Sequence, residues 1–279
     1  MKRIAVLLSC LAALPSLVHA AEWEGPQDPF KLYGNSYYVG TEGLSSVLVT
    51  SPAGHILIDG ASPKAAVQIA AHIRQLGFKL EDIRYILTSH EHYDHVGGVA
   101  ELQRLSGAIV LTSAAAKPVL ETGKPDKGDP QFGTLPDMTP LPKVAAVRDG
   151  ETVALGPLAI KAHYTPGHTK GGVSWTWQSA EGGKALNMVY ADSLIAVAGP
   201  NFRYSGTADY PNAKNDIEGS IARVAALPCD ILVTAHPNAS DVIERQAKGA
   251  LVDTGACKAY AQAGRKRLAE TLAAEAKKQ

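Results

Sequence analysis

The stretch Thr88-Ser89-His90-Glu91-His92-Tyr93-Asp94-His95-Val96-Gly97-Gly98 places three histidines and one aspartate within six residues. Imidazole nitrogens and a carboxylate at that density make a zinc-type ligand set. A strand-like run, Ile83 to Leu87, precedes the cluster, and Gly97-Gly98 opens an amphipathic helical stretch, Val99 to Leu105, behind it. The cluster is therefore expected in a loop where a strand ends and a helix begins. In extended backbone, residues i and i+2 point the same way, so His90 and His92 can grip one ion. Asp94 and His95 are adjacent, diverge from that pair, and can reach a second ion beside the first. A polar loop with coincidental histidines is the bland alternative. It suits a single histidine better than four ligand-type side chains packed this closely.

Two more histidines stand just past strand-like runs. Thr165-Pro166-Gly167-His168-Thr169 follows Ile160 to Tyr164, and Thr234-Ala235-His236-Pro237 follows Ile231 to Val233. Loops at strand ends carry binding side chains on a rigid base, so His168 and His236 are predicted ligands. His55 begins a strand, His72 lies in a helix and His163 is inside a strand; these three read as surface or hydrogen-bonded structural residues. Asp192-Ser193 also follows a strand. The Asp192 carboxylate has three open roles: bridging metals, bonding a ligand histidine from behind, or capping a turn.

The elements that position these groups follow from patterning. Ser36 to Gly40, Ser46 to Thr50 and His55 to Asp59 read as strands separated by turns. Ser62-Pro63 starts a helix, with proline at its first position, and Gly77 ends it. After the cluster come a strand at Ala108 to Thr112 and a short helix at Ser113 to Leu120. Glu121 to Pro142 is irregular, and a loop of that length belongs to the rim of a site. Further strands fall between Val144 and Tyr164, at Val173 to Gln178 and at Leu186 to Tyr190. Gly199 to Tyr210 is irregular again. Asn212 to Leu227, Ser240 to Lys248 and Ala256 to Lys277 read as helices, with a strand at Ile231 to Thr234. The order is strands, helices, strands, helices, without clean βαβ alternation, and no linker-like stretch divides it, so one domain is expected.

The chain has 279 residues, 46% hydrophobic and 19% charged, with 27 basic and 27 acidic residues. Balanced charge without a basic stripe does not favour nucleic acid as a partner. Lys2-Arg3, the apolar run from Ile4 to Leu17 and the small-residue box Val18-His19-Ala20 read as a secretory signal over 1–20, cut after Ala20. Acylation at Cys10 is the alternative; Leu8-Ser9 fits it poorly. The remainder, 21–279, is expected as a protein free of the membrane and, by default, a monomer. Export implies an oxidising compartment, the periplasm if the source is Gram-negative. Cys229 and Cys257 then read as one disulfide closing a loop of about 28 residues. Zinc ligation by Cys229 competes with that reading, but Cys229 starts a strand whose far end carries His236, so one metal would not take both.

His90-x-His92-x-Asp94-His95 followed by His168 and His236 resembles the metallo-β-lactamase superfamily. Gly54 to Gly60, Thr165 to Thr169, Ser174-Trp-Thr-Trp177, Met188 to Leu194 and Leu227 to Leu232 are similar to its subclass B3. The resemblance covers nearly all of 21–279; Ser193 and the late Cys229/Cys257 pair are what point to B3. It implies an α/β fold, a four-layer αββα sandwich, with the site along one edge. It implies two zinc ions, the first on His90, His92 and His168, the second on Asp94, His95 and His236. Ser193 would contact substrate. Ile195 departs from the pattern, standing where similar enzymes carry a hydroxyl that helps bind the substrate carboxylate, and Lys170 replaces a frequent proline.

The implied activity is hydrolysis of the β-lactam amide bond of penicillins, cephalosporins and carbapenems by a zinc-bound hydroxide that Asp94 orients, conferring antibiotic resistance. Zinc brings the pKa of a bound water to about 7. Two alternatives stand beside it: a lactonase or glyoxalase II-like thioesterase on the same scaffold, and a non-catalytic zinc-binding protein.

Overall fold

The computed structural model describes residues 23–277. The expected signal segment and Cys10 lie outside the described residues. Seven strands form the first sheet in chain order: β1 (Phe30–Tyr33), β2 (Ser36–Tyr38), β3 (Val47–Val49), β4 (His55–Ile58), β5 (Ile83–Leu87), β6 (Ile109–Ser113) and β7 (Val144–Val147). Neighbours are antiparallel from β1 to β4 and parallel from β4 to β7. The second sheet runs β12 (Ile231–Thr234), β11 (Lys184–Ala191), β10 (Val173–Glu181), β9 (Leu158–Tyr164), β8 (Thr152–Leu155). Only β11 and β12 pair in parallel there.

The sheets stack face to face, and helices cover both outer faces. Val47, Val49, Ile56 and Ile58 meet Trp175, Trp177, Met188 and Tyr190 between the sheets. The alternate residues Leu48 and Leu57 point outward to Ile69 and Ile73 of α1 (Ala65–Gln75) and Leu102 of α3 (Val99–Ser106). On the other side, Val189 and Leu232 pack on Ile217 and Ile221 of α5 (Ala213–Ala226) and Leu268 of α7 (Ala256–Ala276). Strands covered on both faces are apolar without alternation, which is why β3, β4 and β12 read as continuous hydrophobic runs. The result is the expected four-layer αββα sandwich.

Trp175 fixes the join between the layers. It is fully buried, and its indole N–H donates to the Thr88 carbonyl at 3.0 Å, at the threshold of the histidine cluster. Truncating a core tryptophan to alanine costs about 3–5 kcal/mol.

Three details differ from the sequence reading. The stretch from β4 to β7 is a run of parallel crossovers, hidden in sequence because α3 is short, α4 (Lys117–Thr122) shorter, and 123–143 irregular. That second helix starts later than Ser113, which is still paired in β6, and Pro118 falls in its first turn. The helix placed at Pro63 begins at Ala65, where the Ser62 hydroxyl accepts the Ala65 N–H at 3.2 Å. Gly77 does end it, at a φ of 84°.

Cys229 and Cys257 form a disulfide with their Cα atoms 6.2 Å apart, tying the entry of β12 to the first turn of α7. Among the described residues, no helix is long and apolar enough to cross a membrane.

Candidate metal centre

The site lies where β5, β9, β11 and β12 end at one edge of the sandwich. The chain leaves β5 under tight control. The Thr88 N–H donates to the Leu111 carbonyl at 3.1 Å, and the Val173 N–H donates to the Ser89 carbonyl at 2.6 Å. Below them sits Asp59, fully buried, with a left-handed backbone at φ 58°. Its carboxylate accepts the Ser89 N–H and the Ser89 hydroxyl, each at 2.6 Å, and the Tyr190 hydroxyl at 2.8 Å. Burial raises the Asp59 pKa, while His95 and those donors pull it back. A strained backbone held this firmly belongs to a functional edge rather than a passive turn.

His92 is extended, at φ −82° and ψ 150°, and although the chain bends at Glu91, His90 and His92 converge on one spot. The backbone then turns helical over α2 (Tyr93–Val96), so Asp94 and His95 depart from a helical turn rather than a loop. That turn is what swings them away from the first pair.

His90, His92 and His168 come together with one ring nitrogen each within 4.8 Å of the others. Each imidazole is held from behind. His90 Nδ1 bonds Asp192 Oδ1 at 2.8 Å, His92 Nε2 bonds Asp129 Oδ2 at 2.9 Å, and His168 Nδ1 donates to the Ile195 carbonyl at 2.8 Å. Such a bond fixes the proton on one nitrogen and turns the other inward as a lone pair. His90 Nε2 is buried with no hydrogen-bond partner. Burial, then the neighbouring histidines, hold the His90 pKa well below its ordinary value. Burial and His92 push His168 down to about 3. Both rings are thus neutral, the form that ligates metal. At His92 burial acts downward too, but the Asp129 carboxylate prevails and raises its pKa.

Asp94, His95 and His236 form the second group. Asp94 Oδ2 lies 3.2 Å from His95 Nε2 and 3.4 Å from His236 Nε2, and the two nitrogens are 3.3 Å apart. Tetrahedral zinc with bonds near 2.0–2.1 Å separates its ligand atoms by roughly 3.3 Å, so the triangle has the size that an ion demands. His236 Nδ1 donates to the Gly43 carbonyl at 3.1 Å, and the Trp23 ring lies against it at 5.3 Å. Burial alone would raise the Asp94 pKa; His95 and His236 overcome it and hold the carboxyl well below its usual range. The His90 and His95 rings are 4.2 Å apart, so the two groups are immediate neighbours.

The residues fit divalent metal. Besides His90 Nε2, the atoms His95 Nδ1 and Asp192 Oδ2 are buried without partners. Asp59, Glu91, Asp129 and Asp192 are all buried around the same spot. Burial, first of all, drives the Asp192 pKa far up. Packed carboxylates and inward lone pairs are costly unless a cation offsets them.

Of the remaining expected residues, Ser193 is buried directly after Asp192 at the end of β11. Asp192 bonds the back of His90, one of the three roles open in sequence. His55, His72 and His163 stay outside both groups. His72 Nδ1 bonds the Val39 carbonyl, His163 Nε2 bonds the Thr176 hydroxyl, and His55 is buried in T-shaped contact with Phe78. Three carboxylates escaped the sequence reading. Asp59 was signalled only by Asp-Gly after a strand, Asp129 was one of several acids in a long loop, and Glu91 sits between two ligand candidates. Glu91 accepts the Thr169 hydroxyl at 2.8 Å and the Gly171 N–H at 3.1 Å, and burial, then Asp129, lifts its pKa to about 7.

A family model described as the metallo-beta-lactamase superfamily matches residues 39–181. Among solved structures, MEM-A1, a subclass B3 metallo-beta-lactamase isolated from a soil metagenome library, is 60% identical with a TM-score of 0.91, over 92% of this chain and 100% of its own. The metallo-beta-lactamase SMB-1, solved with 2-mercaptoethanesulfonate, is 52% identical with a TM-score of 0.88, over 91% of this chain and 99% of its own. Among curated proteins, the hydroxyacylglutathione hydrolase of Pseudomonas aeruginosa is 29% identical over 184 residues, 66% of this chain and 56% of that protein. The chain spans about half the length of the curated relatives it matches. The structural likeness is both closer and complete, so it outweighs the partial one.

Proposed function

From the premise that the chain belongs to the metallo-β-lactamase superfamily, within subclass B3, we propose that it hydrolyses the β-lactam amide bond of antibiotics using two zinc ions. The observation that carries this reading is the pair of adjacent three-residue groups, each with its ligand-type atoms drawn together, the first around a buried, unpartnered His90 Nε2. His90, His92 and His168 would hold one ion, and Asp94, His95 and His236 the other. Zinc bound there supplies Lewis acidity toward the lactam carbonyl and makes water available as a nucleophile near neutral pH.

The chain's own residues do the positioning. Asp192, Asp129 and the Ile195 carbonyl hold three imidazoles in one tautomer each. Asp94, kept ionised, can accept a proton of the attacking water and orient it. Ser193 would contact substrate. Ile195 brings no hydroxyl to the substrate carboxylate, so affinity there rests on other groups. Secretion through segment 1–20 to the periplasm accords with the Cys229–Cys257 disulfide, and such an enzyme confers antibiotic resistance. The partner is the small lactam itself; balanced charge offers nothing to nucleic acid, and we take the protein as a monomer.

The thioesterase reading draws on the hydroxyacylglutathione hydrolase likeness. It would place an aspartate between the metals, near Asp192. Asp192 instead bonds His90 Nδ1, the nitrogen opposite the unpartnered Nε2.

The test is hydrolysis of a carbapenem and a cephalosporin by the purified chain lacking 1–20, with zinc and then with chelator. Chelator-sensitive loss of the lactam is expected. No lactam turnover with two zinc ions bound, together with hydrolysis of a thioester, would overturn the reading.

A further inference from the structure

We propose that Glu91 is a positioning residue that ties the loop carrying His168 to the loop carrying His90 and His92. This rests on the metal reading above, but not on the lactam substrate.

The need for a tie follows from the topology. His90 and His92 leave β5 of the first sheet, whereas His168 stands between β9 and β10 of the second. A three-histidine site built across two sheets is only as well formed as the contact between them. Glu91 lies between His90 and His92 at a bend in the backbone, and its side chain leaves theirs to meet the segment after His168. It is 4% exposed. Its two oxygens take one donor each from the segment just after His168: Oε2 the Thr169 hydroxyl at 2.8 Å, Oε1 the Gly171 N–H at 3.1 Å. The Gly171 N–H also lies 3.2 Å from the Thr169 hydroxyl oxygen, closing the arrangement.

The segment that Glu91 grips is itself rigid. The Gly167 N–H donates to the Thr169 carbonyl at 2.7 Å, and the Thr165 N–H to the Gly172 carbonyl at 2.8 Å. Holding Thr169 and Gly171 therefore holds His168. The fit is close: a Cβ at Gly171 would stand 2.5 Å from Glu91 Oε2 and 2.5 Å from the Ala116 Cβ, so position 171 has to be glycine. No Lys or Arg pairs with Glu91 among the described residues. A carboxylate buried without a cation is a poor choice for packing alone. Its two hydrogen bonds across the site give it a purpose.

The experiment compares Glu91→Ala, Glu91→Gln and Thr169→Val in the zinc-loaded chain by chelator competition, with kcat, KM and thermal unfolding measured alongside. Glutamine can accept from Gly171 with its oxygen and donate to Thr169 with its amide, so it keeps the tie; alanine cuts it. Supporting groups behind metal ligands are worth about 10–100-fold in affinity. Glu91→Ala should make one of two zinc ions easier to strip by that factor, leave the other within about twofold, and lower kcat more than it raises KM. Glu91→Gln should recover most of the loss, and Thr169→Val should show part of it.

Should Glu91→Ala fail to fold, Thr169→Val, which removes one hydroxyl, carries the same expectation. Unchanged zinc competition in the folded variants, with only a lowered melting temperature, would overturn the proposal. Wild-type chain that binds no zinc at all would instead sink the metal reading.

Discussion

The two groups of the candidate metal centre are built to different standards. In the His90, His92 and His168 half, every imidazole is buried and backed by a partner: Asp192, Asp129 and the Ile195 carbonyl. In the other half, the Asp94 and His236 side chains keep 16% and 22% of their exposure. His95 Nδ1 has no hydrogen-bond partner and stands 3.9 Å from Asp59 Oδ2. Only His236 is backed directly, by the Gly43 carbonyl. Geometry fixed before metal arrives favours tight binding, because less ordering is left to do. Under the proposed reading, the buried half would anchor its ion more firmly, and the open half would admit substrate and water.

The largest effect that probes this contrast is Asp94→Ala. It removes the one carboxylate of the open half, the group proposed to orient the nucleophile, so kcat should fall about 10²–10⁴-fold. The buried half does not depend on it, so one zinc ion should stay bound. An enzyme that keeps its rate, or loses both ions together, would contradict the division. Next comes the order of stripping. Increasing chelator should remove one ion before the other, and activity should fall with the first loss; simultaneous release would erase the distinction.

Behind the ligands, Asp192→Asn and Asp129→Asn each weaken an anchor of the buried half. About 10–100-fold in affinity for that ion is expected from each, measured by competition against a chromogenic chelator. The matching change in the open half has no carboxylate to remove behind His236, since its anchor is a main-chain carbonyl. A control lies far from both. Replacing Cys229 and Cys257 by serine removes a cross-link of 28 residues' separation. Stability should drop by about 3–4 kcal/mol in denaturant unfolding, with kcat and zinc affinity unchanged. A loss of zinc would mean that β12 and His236 depend on the cross-link.

The same contrast explains what could be read from sequence. Candidate ligands come as side-chain types at fixed spacings beside strand ends, so His90, His92, Asp94, His95, His168 and His236 were legible as candidates, and the structure gathers them into two groups of three. The strands at β3, β4 and β12 were legible as apolar runs, but the four-layer sandwich was an expectation from the family resemblance alone. The groups behind the ligands were not legible. Asp129 reaches His92 from an irregular loop that also holds Asp126 and Asp137, and nothing local singles it out. Asp59 and Glu91 are single acids whose partners lie 30 and 78 or more residues away. The Ile195 carbonyl carries no side-chain signal whatever. The short helical turn at Tyr93–Val96 was missed because four residues are too few for a periodic pattern.

The smallest effect tests how far the buried half's rigidity extends. The Tyr204 hydroxyl donates to the Gly167 carbonyl at 3.0 Å, immediately before His168. Tyr204 is in turn held through its own N–H by Glu275 Oε1 at 2.7 Å, and the Ser205 N–H by Oε2 at 2.9 Å, near the end of α7. These bonds act on a loop that Glu91 and the Ile195 carbonyl already fix from closer in. Tyr204→Phe removes one hydroxyl and keeps the packing, so it should cost about 1 kcal/mol of stability and change zinc affinity less than about threefold, far below the range for direct anchors. A loss of tenfold or more on this substitution would mean that the anchoring site is set by the whole 199–210 loop and the C-terminal helix, not by the residues that touch its histidines.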